Sequence, residues 1–181
     1  MVVSSLSDKC IAPLGRASGD NRATAECRTS EITLAEFRQL TPKMDAADRS
    51  ATTAEDFLGG TADFRTDLYV DDATLMTHAE FIALFDALGA DFTPELKAPS
   101  VEMPFDGFSQ ADHAQKLIDE YKAAGIPASD VWPQSFNLDD VLYWIENEPQ
   151  CGAQAVYLMD EYNIEGYSPM DPPPGQTPWP S

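Results

Sequence analysis

Histidine is nearly absent from this chain, with two in 181 residues. That is few for a reaction that pairs an imidazole acid with an imidazole base, or for a histidine-rich metal site. Basic residues are scarce as well. Eleven Lys and Arg stand against 31 Asp and Glu, for a formal net charge of −20. A chain this acidic is excluded from nucleic acid and from anionic membrane surfaces, since both demand positive patches. No apolar run reaches the roughly 18 residues that would read as a membrane-spanning helix, so no membrane insertion is expected. The first eight residues have neither a basic start nor an apolar centre, so they show no signal peptide; were the protein secreted, its signal would lie upstream of Met1. No repeat with a period of about 20–50 residues is evident. Cysteine is limited to Cys10, Cys27 and Cys151, and without matching histidines these do not read as a zinc site.

What is present suffices for a folded core: 43% hydrophobic and 10% aromatic residues, too apolar for wholesale disorder. Helix signals are frequent. Thr33 with Glu36 makes a capping box before a short helix over 34–40, which Pro42 ends. A further short helix is expected near 54–58, inside a polar insertion spanning 43–73. Thr77 with Glu80 opens a helix whose stripe is Phe81, Leu84, Phe85 and Leu88, stopped by Gly89. Ser109 opens another with stripe Ala114, Leu117, Ile118 and Tyr121, stopped by Gly125 and Pro127. Asn137 opens a third with stripe Leu138, Val141, Leu142 and Ile145. Between and after these helices, 92–97, 131–136 and 154–159 read as strands, although Pro94 and Pro133 sit awkwardly in a ladder. The alternation of strands and amphipathic helices predicts an α/β parallel sheet. His78 and His113 both fall in predicted helices and read as surface residues.

The stretch 92–97, Phe-Thr-Pro-Glu-Leu-Lys, places Glu95 and Lys97 two residues apart and hence on one face of a strand, with Phe92 and Leu96 on the other. Taken alone this is an ordinary surface ion pair. In a βα protein, however, strand ends are where sites are built. Phe-Thr-Pro-Glu-Leu-Lys resembles the Glu-x-Lys strand of the glycerophosphodiester phosphodiesterases, and 131–136, Val-Trp-Pro-Gln-Ser-Phe, resembles the Gln-Ser-Phe strand that follows it there. The resemblance implies a partial TIM barrel: about three central βα units over 31–160, with a long irregular N-terminal segment (1–30) and a Pro-rich C-terminal tail (161–181). At 181 residues the chain is short for a complete barrel of about 250.

The same resemblance implies a metal-dependent hydrolase of glycerophosphodiesters. Glu95 would be a ligand of calcium or magnesium, Lys97 the catalytic cation on the phosphate, and Gln134, Ser135 and Phe136 the substrate-binding residues. The partner would be a small-molecule phosphodiester, and the setting secreted or periplasmic. The family's His-Arg strand, its Glu-x-Asp strand and its second histidine have no counterpart here. The chain is therefore expected to be the middle of such a domain and inactive alone. The alternative is a non-catalytic decayed relative or an acidic extracellular cation-binding protein. Cys10 and Cys27 flank a Gly/Ser/Asn-rich loop over 14–24. A disulfide between them would stabilise by about 3 kcal/mol on the chain-entropy account and suit an oxidising compartment; two free thiols are the other reading. Cys151 reads as a small apolar residue.

Overall fold

The computed structural model describes residues 5–42, 47–61, 64 and 74–159. The Pro-rich tail at 161–181 and most of the acidic stretch at 62–73 lie outside these. The chain divides into two compact units between Thr77 and His78.

In the first unit, β1 (Ala12–Gly15) and β2 (Thr24–Glu26) form an antiparallel pair, Ala12 opposite Glu26 and Gly15 opposite Thr24. The segment 1–30 is therefore less irregular than its sequence suggests. A disulfide joins Cys10 to Cys27 and ties off the open end of this hairpin. The expected capping box is present at α1 (Leu34–Phe37): the Thr33 hydroxyl accepts from the Glu36 N–H, and Glu36 returns to the Thr33 N–H. Lys9 pairs with the Glu36 carboxylate as well. A small core of Ala23, Ala51 and Phe57, the last from α2 (Ala54–Leu58), closes the unit.

The second unit carries α3 (His78–Ala87), α4 (Gln110–Ala124), β3 (Gln134–Ser135), α5 (Leu138–Asn147), α6 (Pro149–Gly152) and β4 (Val156–Tyr157). The α4 stripe is buried as its spacing predicts: Ala114, Leu117, Ile118 and Tyr121. Gly125 ends the helix at φ 77°, the left-handed C-terminal position that glycine fills without strain. On α5, Val141 and Trp144 turn inward, and the Trp144 indole N–H donates to the Ala114 carbonyl at 3.0 Å. Leu138, Leu142 and Ile145 stay about half exposed, as do Phe81 and Leu84 on α3, where Ile82 is the buried residue. Periodicity thus found these helices, while the buried face of α3 and α5 is rotated from the predicted stripe.

The expected partial TIM barrel of about three parallel βα units is not what forms. Among the described residues, regular strands make two two-stranded sheets, β1–β2 antiparallel and β3–β4 parallel, accompanied by short and long helices, and no solved structure matches the chain. Proline supplies the physical reason. The Phe92 N–H donates to the Asp130 carbonyl and the Trp132 N–H to that of Phe92. Pro94 then has no N–H to give, and the ladder resumes only with Gln134 N–H to Pro94 carbonyl and Leu96 N–H to Gln134 carbonyl. The 92–97 stretch therefore meets its neighbour through isolated parallel bridges, Phe92 with Val131 and Glu95 with Gln134, rather than as a continuous strand.

Two outcomes test this packing. Gly152 lies against α5 so closely that a Cβ would come within 2.4 Å of the Trp144 carbonyl oxygen. Gly152→Ala is expected to lower stability by about 1–3 kcal/mol, read as a fall in the urea midpoint. In the first unit, the hydrogen bond from Lys9, then those from the Thr33 N–H and hydroxyl, hold the Glu36 carboxyl down at about 2 from an ordinary 4.5. A depressed carboxylate stabilises the fold above its unfolded pKa. That stability should fade as pH falls from about 4.5 towards 2, and Glu36→Gln should flatten the dependence of melting temperature on pH in that window.

Candidate functional site

The parallel bridge between Glu95 and Gln134 sets the geometry around the candidate residues. Alternation along 92–97 holds: Phe92 and Leu96 are buried in the core, while Glu95 and Lys97 turn to the opposite face. Lys97 Nζ reaches Glu95 Oε1 at 3.0 Å, with the lysine side chain 80% exposed and the glutamate 26%. Gln134 flanks Glu95, its side-chain amide 3.5 Å from the Thr93 carbonyl. Phe136 follows, half exposed. Val131, Pro133 and Ser135 form the buried parity of that segment, so Ser135 points away from Glu95 and Lys97. The fold brings Glu95, Lys97 and Gln134 onto one accessible face and sends Ser135 to the other.

Ser135 belongs to a polar cluster that sequence reasoning missed. Its hydroxyl faces Asp140 Oδ2 at 2.9 Å and the Leu96 carbonyl at 3.2 Å, and it accepts the Asn137 N–H at 3.0 Å. Asp140 is 2% exposed. Its Oδ1 accepts from the Gln110 side-chain amide at 2.8 Å and from that of Asn137 at 3.3 Å. The cluster joins the end of β3, the starts of α4 and α5, and the backbone between Glu95 and Lys97. The signal was present in the sequence, an Asn137 cap with an acid three residues on, but a cap does not reveal that the acid is buried.

His78 is about a third exposed, yet both of its ring nitrogens are taken up. Its Nδ1 lies 2.7 Å from Glu120 Oε2 and its Nε2 3.2 Å from the Tyr121 hydroxyl. A carboxylate only accepts, so Nδ1 donates to Glu120, while Nε2 lies against the Tyr121 hydroxyl. Burial pushes the Glu120 carboxyl up, but hydrogen bonds from Lys116 and His78 outweigh it and hold the group below its ordinary range. Burial, helped by the Glu120 charge, raises the Tyr121 hydroxyl to about 12. The imidazole thus ties α3 to α4. His113 sits on α4 beside the Phe108 ring, with centroids 6.2 Å apart.

A divalent cation fits poorly here. A hard cation wants six or more oxygen ligands, and Glu95 offers one carboxylate already paired with an ammonium. Among the described residues no three His, Cys, Asp or Glu side chains come together as a metal would need.

The chain is similar to one curated protein, named only "Extracellular protein", from Arthroderma benhamiae. The two are 45% identical over 117 residues, which is 64% of this chain and 48% of that protein. The chain thus spans about half the length of the curated relative it matches. No protein-family profile matches.

The buried cluster yields a direct test. Ser135→Ala would leave the Asn137 N–H and one Asp140 oxygen short of a partner, so a loss of about 1–3 kcal/mol is expected in urea unfolding. The Glu95 and Lys97 amide resonances should shift, because the Leu96 carbonyl between them loses its hydroxyl neighbour.

Proposed function

We propose that this chain works outside the cell and that Glu95, Lys97 and Gln134 form one side of a site for a phosphodiester head group of the glycerophosphodiester class. Two findings favour an extracellular setting, secreted or periplasmic: the relative's name and the Cys10–Cys27 disulfide, a bond that is rare in reducing compartments. The single observation that carries the site is the parallel pairing of Glu95 with Gln134, which joins the two motifs of the phosphodiesterase resemblance on an accessible face. Lys97 supplies a point charge for the phosphate, and Glu95 holds that ammonium in place at 3.0 Å. Gln134 offers an amide that can donate to an ester or phosphate oxygen.

Cleaving a diester needs a general acid and base as well. His78 is committed to Glu120 and Tyr121, and His113 lies on another helix beside Phe108. Recognition is therefore the role assigned to the described residues. Calcium or magnesium, which the resemblance also implies, would need carboxylates beyond them.

Titration with sn-glycero-3-phosphocholine, followed by amide shifts, should move residues 95–97 and 134–136. Lys97→Ala should weaken this binding by about tenfold or more, as loss of a charged hydrogen bond does. No shift at these residues would remove the reading. Release of glycerol 3-phosphate by the chain, lost in Glu95→Gln, would replace recognition by catalysis.

One observation favours a second reading, an acidic non-catalytic protein that binds cations loosely. Only three basic residues follow His78, and each is paired to a glutamate: Lys97 with Glu95, Lys116 with Glu120 and Lys122 with Glu148. Calcium-induced shifts spread over the acidic surface, without any response to the phosphodiester, would support it.

A further inference from the structure

In the first unit, the turn 17–22 and the loop 48–52 face each other across a groove of about 550 Å³, within the range of small-molecule sites. Its walls are fixed from below. The Ala17 N–H donates to the Ala51 carbonyl at 2.9 Å and the Ala23 N–H to the Arg49 carbonyl at 2.8 Å, while Ala23 and Ala51 are buried in the core. The turn is itself closed by a reciprocal pair of backbone bonds between Ser18 and Asn21, with Gly19 at φ 56°.

The polar groups on those walls are held in place yet keep bonding capacity. One Arg49 nitrogen donates to the Ala23 carbonyl at 3.3 Å, and its guanidinium stands 5.9 Å over the Phe57 ring. Among the described residues most of its five N–H donors meet no side chain or carbonyl. One Asp48 oxygen takes both the Ser50 N–H and hydroxyl, at 2.8 and 2.6 Å, and among the described residues the other oxygen stands as an oriented acceptor. Arg22, Asn21 and Asp20 are exposed and line the same space.

Charge selects the ligand class. Within the groove two guanidiniums, Arg22 and Arg49, stand against two carboxylates, Asp20 and Asp48, so the site is locally neutral in a chain of net charge −20. With its charges balanced one against one, the groove itself offers no excess of either sign to hold an anion or a cation. What suits a neutral groove of forked donors beside oriented acceptors is an uncharged ligand that gives and takes hydrogen bonds along its length, with adjacent hydroxyls spaced for guanidinium and carboxylate. We propose that this groove binds a neutral oligosaccharide. It is separate from the Glu95 face and independent of the phosphodiester reading.

The test is an amide-shift titration of the disulfide-bonded full chain with cellotriose, mannotriose and triacetylchitotriose in turn, with trigalacturonate as the anionic counterpart. At least one neutral trisaccharide should shift residues 17–22 and 48–52 with a Kd of about 1 mM or tighter. Arg22→Ala, at an exposed position, should weaken that binding by about tenfold without lowering the melting temperature. Arg49→Lys, which keeps the charge but not the planar fork, should weaken it likewise. Absence of shifts with all three neutral sugars, shifts with trigalacturonate alone, or binding unchanged in both variants would overturn the proposal.

Discussion

Asp140 is the residue on which the second unit turns. It is buried, and among the described residues it is held by neutral donors from three directions: the Gln110 amide, the Asn137 amide and the Ser135 hydroxyl. A carboxylate in such a place is tolerable only because its oxygens are met. The same hydroxyl reaches the Leu96 carbonyl. The start of α4, the start of α5, the end of β3 and the backbone carrying Glu95 and Lys97 are therefore fixed by one group. Gln110 shows the limit of the arrangement, since its side-chain oxygen is buried without a hydrogen-bond partner among the described residues.

Around that anchor, proline shapes the sheet. Pro94 and Pro133 each lack the N–H that a continuous ladder needs, yet their carbonyls accept from Gln134 and Val156. The pairing is therefore parallel but interrupted, and cohesion comes from side chains instead: Phe92 edge-on to Tyr121 at 5.1 Å, and Trp144 bonded to the Ala114 carbonyl. This is enough to place Glu95 beside Gln134 and too little to build the repeated βα units that the sequence pattern suggested.

The charge distribution separates the two units. Most of the basic residues lie in the first, where Arg16 and Arg49 brace backbone carbonyls of Thr52 and Ala23. In the second, each of the three lysines is taken up by a glutamate, so its surface is left overwhelmingly acidic. Exposed pairs of this kind contribute little to stability. Their consequence here is positional: Lys97 is held over Glu95, and Glu120 orients the His78 ring.

What the sequence determined by itself is local. The box at Thr33, the cap at Ser109, the left-handed stop at Gly125, the stripe of α4, the alternation along 92–97 and the loop closed by Cys10 and Cys27 all follow from interactions between residues close along the chain. Tertiary structure decided the rest. Whether Asp140 is buried, whether His78 meets Glu120, which side of α3 and α5 turns inward, and whether three extended stretches become a sheet all depend on residues 20 or more positions away. Spacing reports which side chains share a face; only the packed neighbours decide what that face meets.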